Sequence, residues 1–208
     1  RGLSRHYELH IRCSGNPDPV TGYLLDIKDV DRAVRNAVLP VLQSACDTRP
    51  GMDPLDLLPD LFAALHTALP AAAGMRWSLS PYYSLEMSAA DANIALLRQK
   101  FDFAASHRLH VPSLSAEENR RRFGKCNHAS GHGHNYQFEP CVAIGGAGVP
   151  PGAASSPANA FTLQTLEHLA ESLIIARFDH KHLNTDTEEF RDGKGLNPTV
   201  ENIARICH

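Results

Sequence analysis

Residues 131–136 have the sequence Gly131-His132-Gly133-His134-Asn135-Tyr136, in which a single glycine separates two histidines. Tyr136 and the apolar residues after it, Phe138 and Val142, are typical of a β-strand. Side chains two positions apart on a strand point to the same face. The pattern therefore predicts that both imidazoles lie on one face of a strand.

A third histidine, His107, follows an apolar run that begins at Phe101 and predicts a neighbouring strand. Three imidazole nitrogens would fill three positions of a tetrahedral zinc and leave the fourth open, as in catalytic zinc sites. The alternative is an ordinary solvated strand or loop, since the chain contains 12 histidines in 208 residues. Cys126 lies six residues before His132, so it need not be a ligand and could be a reactive thiolate.

Size and charge narrow the class of protein. A chain of 208 residues can bury one large core or two small ones. The net charge of −3 and the lack of a basic tract mixed with aromatic residues argue against a nucleic-acid partner. No apolar stretch approaches the roughly 20 residues of a membrane span. Five cysteines without a Cys-x-x-Cys pair make a disulfide framework unexpected, so we expect a reducing, cytoplasmic setting.

The hydrophobic pattern predicts strands and two helices in each half of the chain, hence two tandem copies of one α+β unit. In each copy we expect an antiparallel sheet with two helices packed on one face. Gly145–Asn159, rich in Gly, Pro, Ala and Ser, predicts a flexible loop. The predicted elements are a strand over 6–13, helices over 28–44 and from Asp53-Pro54, strands near 76–86, strands Phe101–Leu109 and Tyr136–Ile144, a helix over 161–177 and a helix start at 197–202.

Six motifs follow one another from about residue 101 to the last residue. They are Ala105-Ser106-His107-Arg108-Leu109-His110, the segment Pro112–Asn119, Phe123-Gly124-Lys125-Cys126-Asn127, Gly131-His132-Gly133-His134-Asn135-Tyr136, Asp179-His180-Lys181-His182-Leu183-Asn184 and Pro198-Thr199-Val200-Glu201-Asn202. In content and order they resemble the 6-pyruvoyltetrahydropterin synthase family, whose members have the tunnelling fold.

The resemblance implies a zinc-dependent carbon–oxygen lyase acting on phosphates. It would convert 7,8-dihydroneopterin triphosphate to 6-pyruvoyltetrahydropterin with loss of triphosphate. His107, His132 and His134 would hold Zn²⁺, and Cys126 would be the general base. Asp179-His180 would be a relay contributed by a different subunit, so the active sites would lie at the interfaces of a homo-oligomer. The alternative for Asp179-His180 is a helix C-cap, where a histidine favours the helix dipole.

The resemblance also implies residues that bind the pterin ring. Thr199 and Glu201 would line the pocket, although a capping threonine with an acidic first turn explains them almost as well. In the family a glutamate on a late strand, after the second helix, anchors the ring. The second half of this sequence has no counterpart, and Glu86 occupies the equivalent place in the first half. An ordinary surface glutamate is the alternative there.

The first half resembles the same family more weakly. When the copies are superimposed in sequence, Gly2–Tyr7 falls on Gly131–Tyr136, and Leu3 and Arg5 replace the two histidines. We therefore expect residues 1–98 to be a degenerate repeat without metal ligands, and residues 99–208 to be the zinc-binding catalytic repeat.

Two other functions remain open. One is 6-carboxytetrahydropterin synthase of the queuosine precursor pathway, although the five-residue interval between Cys126 and His132 is more similar to the pyruvoyl-forming branch. The other is a non-catalytic pterin-binding or scaffold protein. The expected partners are a small pterin triphosphate and further copies of the chain, with no nucleic acid and no membrane.

Overall fold

The computed structural model describes residues 7–145 and 161–208, and these residues divide into two units. The first unit takes the described residues of Arg1–Gln99 and Pro140–Phe161, and the second takes Lys100–Glu139 and Thr162–His208. The division after Gln99 lies one residue from the predicted boundary. That the first unit is a degenerate copy of the second stays a prediction, because Leu3 and Arg5 lie outside the described residues. So does the predicted flexible loop, apart from Gly145.

The first unit is an antiparallel sheet with helices packed against it. Its strand order is β1-β2-β3-β4-β7. The strands are β1 (Glu8–Cys13), β2 (Ala72–Ser78), β3 (Tyr83–Ser88), β4 (Asp91–Gln99) and β7 (Cys141–Gly145), and the helices are α1 (Ile27–Ala33), α2 (Leu39–Thr48) and α3 (Pro54–Ala68). Asp53 caps α3 by accepting a hydrogen bond from the amide of Leu55. The apolar stripe of α3, which includes Leu57, Leu61 and Leu65, is fully buried.

The helix predicted over 28–44 is longer than expected and irregular. α1 continues into α2 through a π-helical turn, Val34–Val38. The corresponding helix of the second unit, α5 (Leu163–Ala170), continues into α6 (Ala176–Phe178) through another π-helical turn, Glu171–Ile175. Each unit therefore has a five-residue π turn inside its first long helix.

The second unit is built on a three-stranded sheet in the order β6-β5-β8. The strands are β5 (Phe101–His107), β6 (His132–Phe138) and β8 (Lys181–His182), and the remaining helices are α4 (Ala116–Phe123), α7 (Leu183–Asp186) and α8 (Val200–Cys207). Its core contains Phe103, Ala105, Phe178, Leu183, Phe190 and Ile203. Phe103 and Ala105 lie on the same face of β5 as His107, so the helical core packs on the histidine-bearing face.

Two details of the predicted sheets are wrong. The strand predicted over Tyr136–Ile144 is two strands, β6 and β7, separated by Glu139-Pro140, because proline has no N–H to donate to a strand ladder. The sheet of the second unit is also not wholly antiparallel, since β8 pairs in parallel with β5. The chain reaches β8 through a long helical connection, which is what parallel pairing requires.

No helix in residues 7–145 and 161–208 combines the length and the apolar character needed to cross a membrane.

Candidate metal centre

The register of β5 and β6 brings the three predicted ligands together. His107 lies directly opposite His132, and Ala105 lies opposite His134. Paired residues and residues two apart share a face, so all three rings are on the same side of the sheet. Their ring centroids are 4.7 Å (His107–His132), 5.0 Å (His107–His134) and 4.6 Å (His132–His134) apart. One nitrogen from each ring lies within 4.8 Å of the others, an arrangement that could hold a metal ion.

A backbone carbonyl orients the central ring. Nδ1 of His107 donates a hydrogen bond to the carbonyl oxygen of Pro198 at 2.6 Å. A carbonyl can only accept, so the proton is on Nδ1 and the lone pair of the neutral ring is on Nε2. Nε2 of His107 is buried and has no hydrogen-bond partner among the described residues. The arrangement leaves a nitrogen that is short of a partner, as a metal ligand should be.

The electrostatics of the cluster favour neutral rings. Burial lowers the pKa of His107, and repulsion from His132, His134 and His182 lowers it further, against the opposing effect of the Pro198 carbonyl. Burial and His134 also lower the pKa of His132. A histidine must be neutral to bind a metal. Three neutral imidazole nitrogens are a donor set that fits zinc with one open position.

Cys126 is held at the end of β5. It lies in a short 3-10 turn, Gly124–Asn127, that follows α4. The amide of Leu109 donates to the carbonyl of Cys126 at 2.8 Å, and the side-chain amide of Asn127 donates to the carbonyl of Leu109 at 2.7 Å. These bonds tie the turn to the residues directly after His107. The thiol itself is free and half-buried.

Tyr136 is a site residue that the sequence reasoning used only as a strand marker. It is the next residue after His134 on the same face of β6, and its ring stacks on Phe103 at 5.0 Å. Its hydroxyl is buried and has no hydrogen-bond partner among the described residues. Burial, together with the negative charge of the Cys126 thiolate, raises the pKa of Tyr136 to about 12. The strand alternation that placed the histidines would also have placed this phenol beside them.

The predicted Asp179-His180 pair forms. Asp179 accepts a hydrogen bond from Nδ1 of His180 at 2.6 Å with one carboxylate oxygen and from the amide of Ala104 at 2.8 Å with the other. The Ala104 amide, followed by His180, lowers the pKa of Asp179. His180 has a φ of 55°, in the left-handed region that a non-glycine residue rarely adopts. The pair is therefore fixed both by side-chain contacts and by an unusual backbone.

The pair does not meet the predicted base within the chain. The side chain of His180 is 84% exposed. The described hydrogen bonds of Asp179 and His180 run only to Ala104 and to each other. His180 lines an open cavity of about 660 Å³ that also includes His134, His182 and Asp186. The relay is thus formed and exposed, and none of its described contacts reaches Cys126.

The three predicted pterin contacts have other partners in the structure. Thr199 is the N-cap of α8 and accepts from the amide of Asn202 at 3.3 Å. Glu201 lies in the first turn of α8, where its own amide and Thr199 lower the pKa of its carboxyl. Glu86 lies on β3 in the first unit, and its carboxylate pairs with Arg76 at 3.0 Å and Arg98 at 3.6 Å. Their roles in binding a pterin stay predictions.

Comparison with known proteins gives one consistent result. The sequence model of the family described as 6-pyruvoyl tetrahydropterin synthase matches residues 96–208. The chain is 37% identical over 111 residues to a 6-pyruvoyl tetrahydrobiopterin synthase of Drosophila melanogaster, covering 53% of this chain and 60% of that protein. It is 37% identical over 110 residues to the Homo sapiens protein of the same name, covering 53% and 69%.

A solved structure described as Caenorhabditis elegans 6-pyruvoyl tetrahydropterin synthase is also similar, with 34% identity and a TM-score of 0.45. The match covers 55% of this chain and 74% of that one. The chain thus spans between about 60% and three quarters of the length of these relatives.

Proposed function

The chain belongs to the 6-pyruvoyl tetrahydropterin synthase family, and we propose that it is a zinc-dependent lyase acting on 7,8-dihydroneopterin triphosphate. The products would be 6-pyruvoyltetrahydropterin and triphosphate. One observation carries the proposal: His107, His132 and His134 place their ligand nitrogens within 4.8 Å of one another beside the turn that holds Cys126.

The chemistry needs help in removing a proton from carbon next to oxygen. A zinc ion held by the three histidines would act as a Lewis acid toward the side-chain oxygens of the pterin. The histidines themselves contribute by staying neutral at neutral pH, which their lowered pKa values favour. The electron pair of the C–H bond moves toward the pterin ring, and triphosphate leaves with its bonding pair. No external redox cofactor is required.

Cys126 is proposed as the base that accepts this proton. A free thiol is mostly protonated at neutral pH, so it needs a neighbour to act as a base. We propose that Asp179 and His180 supply this help to a second copy of the chain. The exposure of His180, its fixed orientation against Asp179 and the absence of a described contact with Cys126 within the chain support that arrangement.

The test combines metal content with triphosphate release. We expect the His132→Ala protein to lose both bound zinc and turnover of 7,8-dihydroneopterin triphosphate. The His168→Ala protein is the matched control, because His168 is an exposed histidine of α5 that is given no role. If His132→Ala kept full turnover, the histidine cluster would not be the catalytic centre.

A further inference from the structure

Tyr136 carries a buried hydroxyl for which the mechanism above has no task. The oxygen has no hydrogen-bond partner in the described part of the chain. A buried hydroxyl without a partner destabilises the folded state, so such a group calls for an explanation. The hydroxyl therefore points to a partner that is formed only in the working state of the site.

The ring of Tyr136 is fixed among the proposed metal ligands. It stacks on Phe103 with centroids 5.0 Å apart and meets the edges of His134 at 5.6 Å and His107 at 6.2 Å. Tyr136 and Phe103 are also directly paired across β6 and β5. With its ring packed on one side and lined by imidazoles on the other, Tyr136 has little freedom to turn its hydroxyl toward solvent.

Cys126 is the neighbour that a hydroxyl in this place can serve. The 3-10 turn that holds the cysteine is hydrogen-bonded to Leu109, two residues after His107, and Arg108 donates from Nε to the carbonyl of Asn127 at 3.2 Å. The negative charge of a Cys126 thiolate acts on the Tyr136 phenol, so the two groups are close. Lys125, within the turn, and Arg108, bound to it, are the cations next to this cysteine, and the three histidines lie on the adjoining strands.

We propose that Tyr136 is a positioning residue for Cys126, and that its hydroxyl donates a hydrogen bond to the Cys126 thiolate. In the thiol form the two groups are not hydrogen-bonded, because a neutral thiol is a weak acceptor. When the thiol proton leaves, the sulfur lone pair becomes a strong acceptor and takes the O–H of Tyr136. The O–H bond of the tyrosine does not break. The contact stabilises the anion and holds the sulfur beside the histidine cluster.

The proposal rests on the proposed function for the role of the thiolate as a base, but the hydrogen bond itself does not depend on substrate. It can therefore be tested without turnover. The zinc-loaded protein is treated with iodoacetamide at several pH values, and alkylation is followed separately at Cys126 and at the exposed Cys141 by peptide mass spectrometry. Tyr136→Phe keeps the aromatic stack and removes only the hydroxyl. Tyr82→Phe, which removes an exposed hydroxyl in the first unit, is the matched control.

We expect Cys126 of Tyr136→Phe to react about 5- to 20-fold more slowly near pH 7, and at the parent rate at high pH, where every thiol is ionised. Cys141, and both cysteines of Tyr82→Phe, should react as in the parent. Where the parent is an active lyase, kcat should fall while KM changes less than about twofold. An unchanged pH profile of Cys126 alkylation overturns the proposal. A slower reaction at Cys126 in a parent without lyase activity supports the hydrogen bond and counts only against the proposed function.

Discussion

Nδ1 of His107 donates to the carbonyl oxygen of Pro198 at 2.6 Å, across 91 residues of sequence. The bond fixes the tautomer of the central proposed ligand, because a carbonyl leaves only Nε2 free to bind a metal. Pro198 directly precedes Thr199, the N-cap of α8. The segment that begins this helix therefore also orients the metal site.

The first prediction concerns zinc stoichiometry. We expect one zinc per chain, because the His107–His132–His134 group is the metal-binding cluster found among the described residues, and Leu3 and Arg5 replace two of these histidines in the first half. His107→Ala should lower zinc affinity more than about 100-fold, beyond the usual effect of losing a group that only orients a ligand. The measurement is metal analysis after dialysis, with His168→Ala as control. Two equivalents of zinc per chain would contradict the account.

The second prediction is a pH dependence of zinc binding. A proton and a metal compete for the same nitrogen lone pair, so affinity falls when the rings become charged. The pKa values of His107 and His132 are lowered from the ordinary value of 6.5, which moves this competition toward more acidic pH. We expect zinc occupancy to be constant from about pH 7.5 to 6.5 and to fall below about pH 6.

The sign for stability of the metal-free protein follows from the same shifts. Between the lowered pKa values and 6.5 the unfolded chain binds more protons than the folded chain, so stability falls as the pH drops through this range. Zinc titrations and thermal unfolding at a series of pH values check both statements. Loss of zinc that begins well above pH 6.5 would show that the rings are not held neutral.

The third prediction separates the base from the metal. Cys126→Ala should keep bound zinc and lose turnover by about 10²- to 10⁴-fold, the usual contribution of a general base. The cysteine lies outside the ligand set, so metal analysis and activity should part company. Cys141→Ala is the control, because Cys141 is exposed on β7 in the first unit. Full turnover by the Cys126→Ala protein would remove the base from the mechanism.

The fourth prediction tests whether the relay serves another subunit. Cys126→Ala and His180→Ala proteins should each be inactive, and mixing them under conditions that exchange subunits should restore activity. Random pairing would give up to about a quarter of the parent turnover. Complementation arises because a mixed interface can combine an intact Cys126 from one chain with an intact His180 from the other. If no activity returns although exchange is demonstrated, the cysteine and the relay act within one chain.

The fifth prediction concerns Thr199, for which the structure gives a capping contact and the family resemblance a pterin contact. Thr199→Ala removes the side-chain oxygen that accepts from Asn202, and it should lower the free energy of unfolding by about 0.5–2 kcal/mol. Thr199→Ser retains a hydroxyl and should be close to the parent in denaturant unfolding. A Thr199→Ala protein of unchanged stability but raised KM would favour the pterin contact over the cap.

The histidine cluster was predictable because it depends on strand alternation. His132 and His134 share a face by their spacing alone, and the apolar run before His107 indicated a second strand. The first helix of each unit was also predictable from apolar spacing. Their π turns, at 34–38 and 171–175, were not, because a single added residue in a helix leaves no clear sequence signal. The shared irregularity supports the proposal that the units are copies of one another.

Contacts made by the backbone escaped the sequence. The bond from His107 to the Pro198 carbonyl joins a strand to a distant loop, and any residue at position 198 would present the same oxygen. The left-handed backbone of His180 is likewise set by its bonds to Ala104 and Asp179 rather than by residue type. The ion pairs of Glu86 depend on the register of β2, β3 and β4, which could not be read from the chain.

The most direct test is turnover of 7,8-dihydroneopterin triphosphate by the zinc-loaded protein, with the products identified by mass spectrometry. The account predicts 6-pyruvoyltetrahydropterin and triphosphate in equal amounts, with no product when Cys126→Ala replaces the parent. A 6-carboxytetrahydropterin product would contradict the assigned reaction and place the same site in the sibling branch. No turnover by a protein with zinc bound would contradict the claim that the site in this chain is a lyase.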